Sequence, residues 1–207
     1  MRSYLFIAVL TVFGLFLASN LVSAEPPPVS VKCKISCTVA EIVEWSDDSF
    51  PPINLADLTT QNSQVSGSSR LCLYTNGNVE ITADNSDAAQ LSKDNYHKLV
   101  TEYKLEYDAF GVNETGGSMV DWSGYDSFLS KGSIVTHIPG DGAVEVTLSV
   151  RVSKGSSDFG NSLTQNLMSA NPPSAGASTS ATCNISCTLE NVGECTATQT
   201  LTAYWES

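Results

Sequence analysis

Apolar and polar residues alternate with period two in several segments of this 207-residue chain. In a strand, such alternation places successive side chains on opposite faces, so that one face can be buried while the other meets water. The clearest segments are residues 29–39, 99–109 and 144–152. Because the face opposite the apolar one is polar in each of them, the pattern is typical of antiparallel sheets and predicts an all-β protein.

Turn-forming residues separate the other apolar runs, and Asn76-Gly77 is a strong hairpin signal. Many short strands at regular intervals predict a sandwich or a barrel, and we favour an antiparallel sandwich. Two short stretches, 54–58 and 162–168, are the best candidates for helix. The weaker predicted strands are residues 70–75, 78–83, 133–138, 181–189 and 196–205.

The first 24 residues differ from the rest of the chain. Arg2 precedes an apolar run over residues 4–18, and small side chains follow at Val22-Ser23-Ala24. This pattern is typical of a secretory signal peptide that is cleaved after Ala24. The run is shorter than the roughly 20 residues that span a bilayer. We therefore expect a secreted protein (extracellular, at the cell surface or periplasmic) with no membrane span after cleavage.

The exported part, residues 25–207, fits a single domain. Within it, residues 155–180 are rich in Ser, Gly, Asn and Ala, which predicts a long surface loop. The whole chain carries 10 Lys plus Arg against 22 Asp plus Glu, a net charge of −12. Since such a surface repels a phosphate backbone, we predict no nucleic-acid partner.

Six cysteines lie in the exported part, and an even number in an oxidising compartment predicts disulfides. Cysteines four residues apart on one strand are about 13 Å apart, beyond the roughly 7 Å that a disulfide tolerates between Cα atoms. Neither close pair should therefore bond internally, and the other pairings stay open. The close spacings also come near those of zinc sites, but such sites usually lie in loops, so no metal is predicted. The six are Cys33, Cys37, Cys72, Cys183, Cys187 and Cys195.

No arrangement of residues in the sequence indicates catalysis, and we predict that the protein is not an enzyme. His97 and His137 lie outside any nucleophile or metalloprotease motif. Glu102 and Glu106 share a strand face, but four strand residues separate them by more than paired acid–base carboxylates need.

Two other kinds of site remain to be considered, a calcium site built from carboxylates and a carbohydrate site built from tryptophans. The acidic residues lack the spacing of a calcium-binding loop, and the tryptophans fit core or sheet-edge positions better than a sugar platform. We predict no cofactor. The acidic residues are Asp47, Asp48, Asp141 and Glu145, and the tryptophans are Trp45, Trp122 and Trp205.

Three short motifs carry a resemblance to a known family. Residues 71–83 read LCLYTNGNVEITA, residues 103–107 read YKLEY, and residues 198–205 read TQTLTAYW. Together they resemble strands of bacterial spore-coat-U-type and pilin-like secreted domains. The resemblance implies an immunoglobulin-like sandwich, a disulfide from the first strand to Cys72, and a bulge at Asn76-Gly77 within one strand. Local turn chemistry instead favours a hairpin at Asn76-Gly77.

The expected function follows from export, strand pattern, acidity and the resemblance. We expect a non-catalytic structural or adhesive subunit of a surface fibre, pilus (fimbrium) or spore coat. The partners implied are other surface-protein subunits and a periplasmic chaperone. The alternative is a soluble secreted binding module for a carbohydrate or protein ligand.

Overall fold

The computed structural model describes residues 32–108, 115–140, 142–154 and 176–206. The chain divides into two compact units, Met1–Thr38 and Val39–Ser207. Every strand among the described residues belongs to the second unit, together with one short 3-10 helix, Asp87–Ala89. No described α-helix accompanies them, so the all-β prediction is confirmed.

The strands form two sheets whose inner faces share one hydrophobic core. Neighbouring strands are antiparallel throughout, except that β2 runs parallel to β10. The five-stranded sheet has the order β1 (Val43–Trp45), β3 (Gln64–Thr75), β9 (Ala143–Ser153), β5 (Val100–Asp108) and β7 (Val120–Gly124). The six-stranded sheet has the order β2 (Ile53–Asn54), β10 (Ser178–Leu189), β11 (Gly193–Trp205), β4 (Val79–Ala83), β8 (Ser133–Thr136) and β6 (Gly116–Gly117).

Strand β9 shows why the period-two pattern located the core correctly. Its apolar residues at even positions from Val144 to Val152 are all fully buried, and the residues between them are half-buried on the outer face. The strand lies between β3 and β5, so its main chain is hydrogen-bonded on both edges while only one face meets the other sheet. The strand predicted at 144–152 is therefore confirmed. The strand predicted at 99–109 is confirmed over Val100–Asp108, and residue 109 lies outside the described residues.

The strand predicted over residues 29–39 is wrong in its described part. Residues 32–42 have no strand structure, and Ile35 and Val39 are 89% and 72% exposed. Alternating apolar residues make a strand only where a neighbouring strand satisfies their backbone groups, and no strand among the described residues pairs with this stretch. Residues 29–31 lie outside the described residues.

Asn76-Gly77 is neither a hairpin turn nor a bulge within one strand, so both interpretations are wrong. The preceding strand β3 belongs to the five-stranded sheet and the following strand β4 to the six-stranded sheet. At this corner the Asn76 side chain accepts a hydrogen bond from the Ile42 amide (2.8 Å) and donates one to the Ala40 carbonyl (2.8 Å). The amide side chain thereby fixes the chain just before β1.

One of the two helix predictions is wrong, and the other lies outside the described residues together with most of the predicted loop. Residues 54–58 are not helical, because this stretch follows the edge of β10. Residues 162–168 lie outside the described residues, as do residues 155–175 of the predicted loop. Its last residues, 178–180, belong to β10, which begins three residues earlier than expected.

Segment 48–58 covers the outer edge of β10. Backbone hydrogen bonds join Phe50 to Thr182, Leu55 to Ser186 and Leu58 to Thr188, with N···O distances of 2.8, 2.8 and 2.9 Å. The same segment packs on the inner face of β3, where a Cβ at Gly67 would lie 2.7 Å from Ile53 Cγ2. Segment 48–58 therefore closes one side of the sandwich with the domain's own chain.

A search of the described residues for a helix both long and apolar enough to cross a membrane finds none.

Candidate functional site

The six cysteines occupy three different environments, and all are free thiols in this structure. Cys33 and Cys37 are exposed. Cys72 is half-buried and alternates with the buried Leu71 and Leu73, so its side chain points to the outer face of the five-stranded sheet. Cys183, Cys187 and Cys195 are buried on the inner face of the six-stranded sheet.

Only one cysteine pair is brought together by strand register. Cys187 on β10 lies directly opposite Cys195 on β11, whereas Cys183 lies opposite Gln199. The pKa of Cys187 is raised to about 12, mainly by burial and also by the neighbouring Cys195 and Asp57. Burial also raises the pKa of Cys195, with Lys93 opposing the shift. Both thiols are therefore protonated at neutral pH.

Cys183 faces the core next to a second unusual side chain. Burial raises the pKa of Cys183 to about 12, partly offset by a hydrogen bond from the Ile53 backbone. Its cross-strand neighbour Gln199 is fully buried, and neither polar atom of the Gln199 amide has a hydrogen-bond partner. Sequence reasoning missed Gln199, although its place among alternating buried residues of β11 indicates an inward side chain.

The two histidines lie in unrelated surroundings. The His97 ring contacts the Asp94 carboxylate at 2.9 Å on the surface, and this hydrogen bond is the main reason why the pKa of Asp94 is lowered. The backbone amide of His137 donates a hydrogen bond to Asn78 Oδ1 (3.0 Å). The His137 ring nitrogen Nδ1 is buried without a hydrogen-bond partner, so the two histidines share no common site.

Glu102 and Glu106 are each paired with a cation on the outer face of β5. Arg151 donates two bonds of 2.8 Å to Glu102 Oε2, and Lys104 lies 2.8 Å from Glu106. The Arg151 guanidinium also stacks 4.6 Å from the centre of the Trp122 ring. Each carboxylate therefore faces a cation rather than the other carboxylate.

The acidic residues considered for calcium have local partners or lie apart. Asp47 accepts a hydrogen bond from the Asp48 amide (2.7 Å), and Glu145 pairs with Arg70 (3.0 Å). Asp141 lies outside the described residues. Across the described residues, no three His, Cys, Asp or Glu side chains converge as metal ligands would.

The three tryptophans do not form one exposed platform. Trp45 is 4% exposed and packs against Phe50 in the core, with ring centres 5.6 Å apart. Trp122 is covered on one face by Arg151, and Trp205 packs over Gly77. The prediction that Trp45 serves the core is therefore confirmed.

Comparison of the chain with protein-family models, with curated proteins and with solved structures finds no match in any of the three.

Proposed function

We propose that the exported chain is a non-catalytic structural or adhesive subunit of an extracellular surface fibre, pilus or coat. The observation that carries the proposal is the pairing of charged side chains on the sheet surface. On the outer face of the five-stranded sheet, three carboxylates each face a cation in an ion pair rather than converging in a cleft: Arg70–Glu145, Arg151–Glu102 and Lys104–Glu106. An enzyme needs convergent titratable groups, and ion pairs spread over β3, β5 and β9 do not provide them.

An immunoglobulin-like arrangement of the sandwich and oxidation of the cysteines belong to the same proposal. Two packed antiparallel sheets of five and six strands are compatible with a pilin-like module. A disulfide from Cys33 or Cys37 to Cys72 stays a prediction. The exposure of the three cysteines supports this prediction, because Cys33 and Cys37 are exposed and Cys72 is half-buried on an outer sheet face.

The domain is proposed to fold without a strand from a partner. Segment 48–58 occupies the edge of β10, and β11 lies in the middle of the six-stranded sheet between β10 and β4. Pro51-Pro52 within segment 48–58 lack backbone donors, which discourages extension of the sheet by another chain. Other subunits would then contact the faces or short edge strands of a complete domain.

Immunogold electron microscopy of the cells that make the protein tests the proposed role. Antibodies raised against the recombinant chain should label a fibre or coat outside the cell, and deletion of the gene should remove both label and layer. A protein found only as a soluble species in the medium contradicts the proposal. Binding of that species to a glycan array, lost in a Trp122→Ala variant, would establish the binding-module alternative.

A further inference from the structure

Two cysteines lie opposite each other near the tip of the β10–β11 hairpin. We propose that Cys187 and Cys195 form a disulfide that joins these two strands in the mature protein. The pairing rests on the proposed function only for the oxidation of the cysteines. It is tested below with an oxidant supplied in solution, so it can fail or succeed independently of any role at the cell surface.

The backbone positions suit a disulfide. Thr196 exchanges backbone hydrogen bonds with Ser92 on the far side of β11, at 3.1 and 3.0 Å, so its N–H and C=O point away from β10. Because peptide groups alternate in direction along a strand, those of Cys195 point toward β10 and Cys187. The two cysteines are thus a hydrogen-bonded antiparallel pair, whose Cα atoms are about 5.5 Å apart. Disulfides require roughly 4.4–6.8 Å.

The side chains also suit a disulfide, because directly opposed residues project to the same face of a sheet. Both thiols are buried on the inner face, at 3% and 0% exposure. The register of β10 and β11 therefore sets the two side chains next to each other on that face.

No other cysteine on the strands competes for this pair. Cys183 is four residues from Cys187 along β10 and lies opposite Gln199, which is four residues from Cys195 along β11. Each of those separations is about 13 Å. Cys72 points to the outer face of the opposite sheet. Cys183 is therefore the buried cysteine that stays reduced in our assignment.

The proposed disulfide would lie beside the tip of the hairpin, which two other segments of the chain contact. Beyond the cysteines, Glu190 accepts a hydrogen bond from the Thr60 amide (3.0 Å) and Lys93 donates to the Val192 carbonyl. Leu58 exchanges backbone bonds with Thr188 and Glu190. A covalent link at Cys187–Cys195 keeps the hairpin closed, and so keeps these docking positions in place when the tip opens.

The reaction is an ordinary thiol–disulfide exchange with a small disulfide donor such as oxidised glutathione. One cysteine thiolate attacks the donor, forming a mixed disulfide and releasing one glutathione thiol. The second cysteine thiolate attacks the protein sulfur and releases the other glutathione thiol. Two S–H bonds are lost and one S–S bond is formed, while two electrons and two protons reduce the donor. Since both thiols are protonated once buried, the bond should form during folding.

Peptide mapping of the full chain tests the assignment. The chain is refolded from denaturant with reduced and oxidised glutathione, alkylated, and cut without reduction by a glutamate-specific protease. Cleavage after Glu145, Glu190, Glu194 and Glu206 gives peptide 146–190, which holds Cys183 and Cys187, and peptide 195–206, which holds Cys195. We expect these two peptides to be joined and to separate on reduction.

A Cys183→Ser variant makes the result unambiguous, because its peptide 146–190 contains only Cys187. The joined peptides should persist in Cys183→Ser and be lost in Cys187→Ser. The assignment is overturned if the refolded wild-type chain has Cys187 and Cys195 alkylated, if Cys195 is joined to a peptide holding Cys33, Cys37 or Cys72, or if Cys187→Ser keeps the link.

Thermal unfolding gives a second, independent readout. Dithiothreitol should lower the Tm of Cys183→Ser by roughly 5–10 °C more than that of a matched variant that also carries Cys187→Ala and Cys195→Ala. The matched variant retains Cys33, Cys37 and Cys72, so any effect of reducing those is common to both chains. Equal shifts in the two chains would contradict the cross-link.

Discussion

The indole ring of Trp205, near the end of β11, lies against Gly77 so closely that any Cβ at position 77 would overlap it. The contact joins the last described strand to the corner at which the chain leaves the five-stranded sheet. Backbone bonds from Trp205 to Ala177 and from Glu206 to Asn78, both 2.9 Å, hold the end of β11 in the same place. Gly77 is therefore required here by packing.

Replacement of Gly77 by Ala should destabilise the domain, because the added methyl group must displace the Trp205 ring. We expect the free energy of unfolding to fall by about 1–3 kcal/mol, the usual cost of overpacking. Urea denaturation of Gly77→Ala measures it. In a Trp205→Ala background the same change should cost far less, and an equal cost in both backgrounds would show that the indole contact is not the cause.

The Tyr103 hydroxyl donates a 2.6 Å hydrogen bond to the buried Ala89 carbonyl, in a core position where the ring also packs on Phe128. A Tyr103→Phe variant keeps the ring but leaves that carbonyl without a donor. The free energy of unfolding should fall by about 1–3 kcal/mol. Tyr74→Phe, at a position 45% exposed, is the control and should change it by less than about 0.5 kcal/mol. Similar values for both variants would contradict the role of the hydroxyl.

Stability should fall at alkaline pH through the tyrosines of β5. Burial raises the pKa of Tyr107 to about 12, opposed by its 2.7 Å hydrogen bond to Ser133 in the other sheet. An unfolded tyrosine loses its proton near pH 10, while folded Tyr107 keeps it. Between these values the unfolded state binds fewer protons, so the stabilisation that is complete below pH 10 is lost as pH rises toward 12.

Urea unfolding at pH 9, 10 and 11 measures this alkaline loss. Tyr107→Phe should remove the part due to Tyr107, on the order of 1–3 kcal/mol at full development. The remaining dependence includes Tyr103, whose pKa is also raised by burial. A Tyr107→Phe variant with the same pH dependence as the wild-type chain would refute this assignment.

Processing of the leader gives a prediction outside the described residues. Export should remove residues 1–24, because small side chains at Val22 and Ala24 suit signal peptidase. Intact mass and N-terminal sequencing of protein recovered from the periplasm of an expression host should therefore find Glu25 at the start. A recovered protein that retains residues 1–24 would disprove the signal peptide.

The exported domain should be monomeric when it is made alone. Segment 48–58 covers the β10 edge, so no strand from a second copy is needed to complete the sheet. Size-exclusion chromatography of the periplasmic protein should show a single monomeric species, and deletion of residues 25–32 should not alter it. Insolubility without a chaperone, together with polymers that the deletion abolishes, would instead establish strand donation.

The positions of most strands and their buried faces could be predicted from the sequence, because this information is local. The alternation over 144–152 places the apolar side chains of β9 on one face of the strand, and a sheet that buries one face buries that apolar face. The same pattern failed at residues 32–39, because a strand also needs a neighbour for its backbone groups and alternation does not supply one.

What only the tertiary structure decided is which strands become neighbours. Asn76-Gly77 has the chemistry of a hairpin turn, yet the strands around it belong to different sheets, because the packing of Trp205 and the hydrogen bonds of Asn76 decide the outcome there. The sequence likewise left the cysteine pairings open. Cys187 and Cys195 meet because the register of β10 and β11 sets them opposite one another. That register depends on where the turn falls. The predicted strands ended at 189 and began at 196, which put Cys195 in the turn, whereas β11 begins at Gly193.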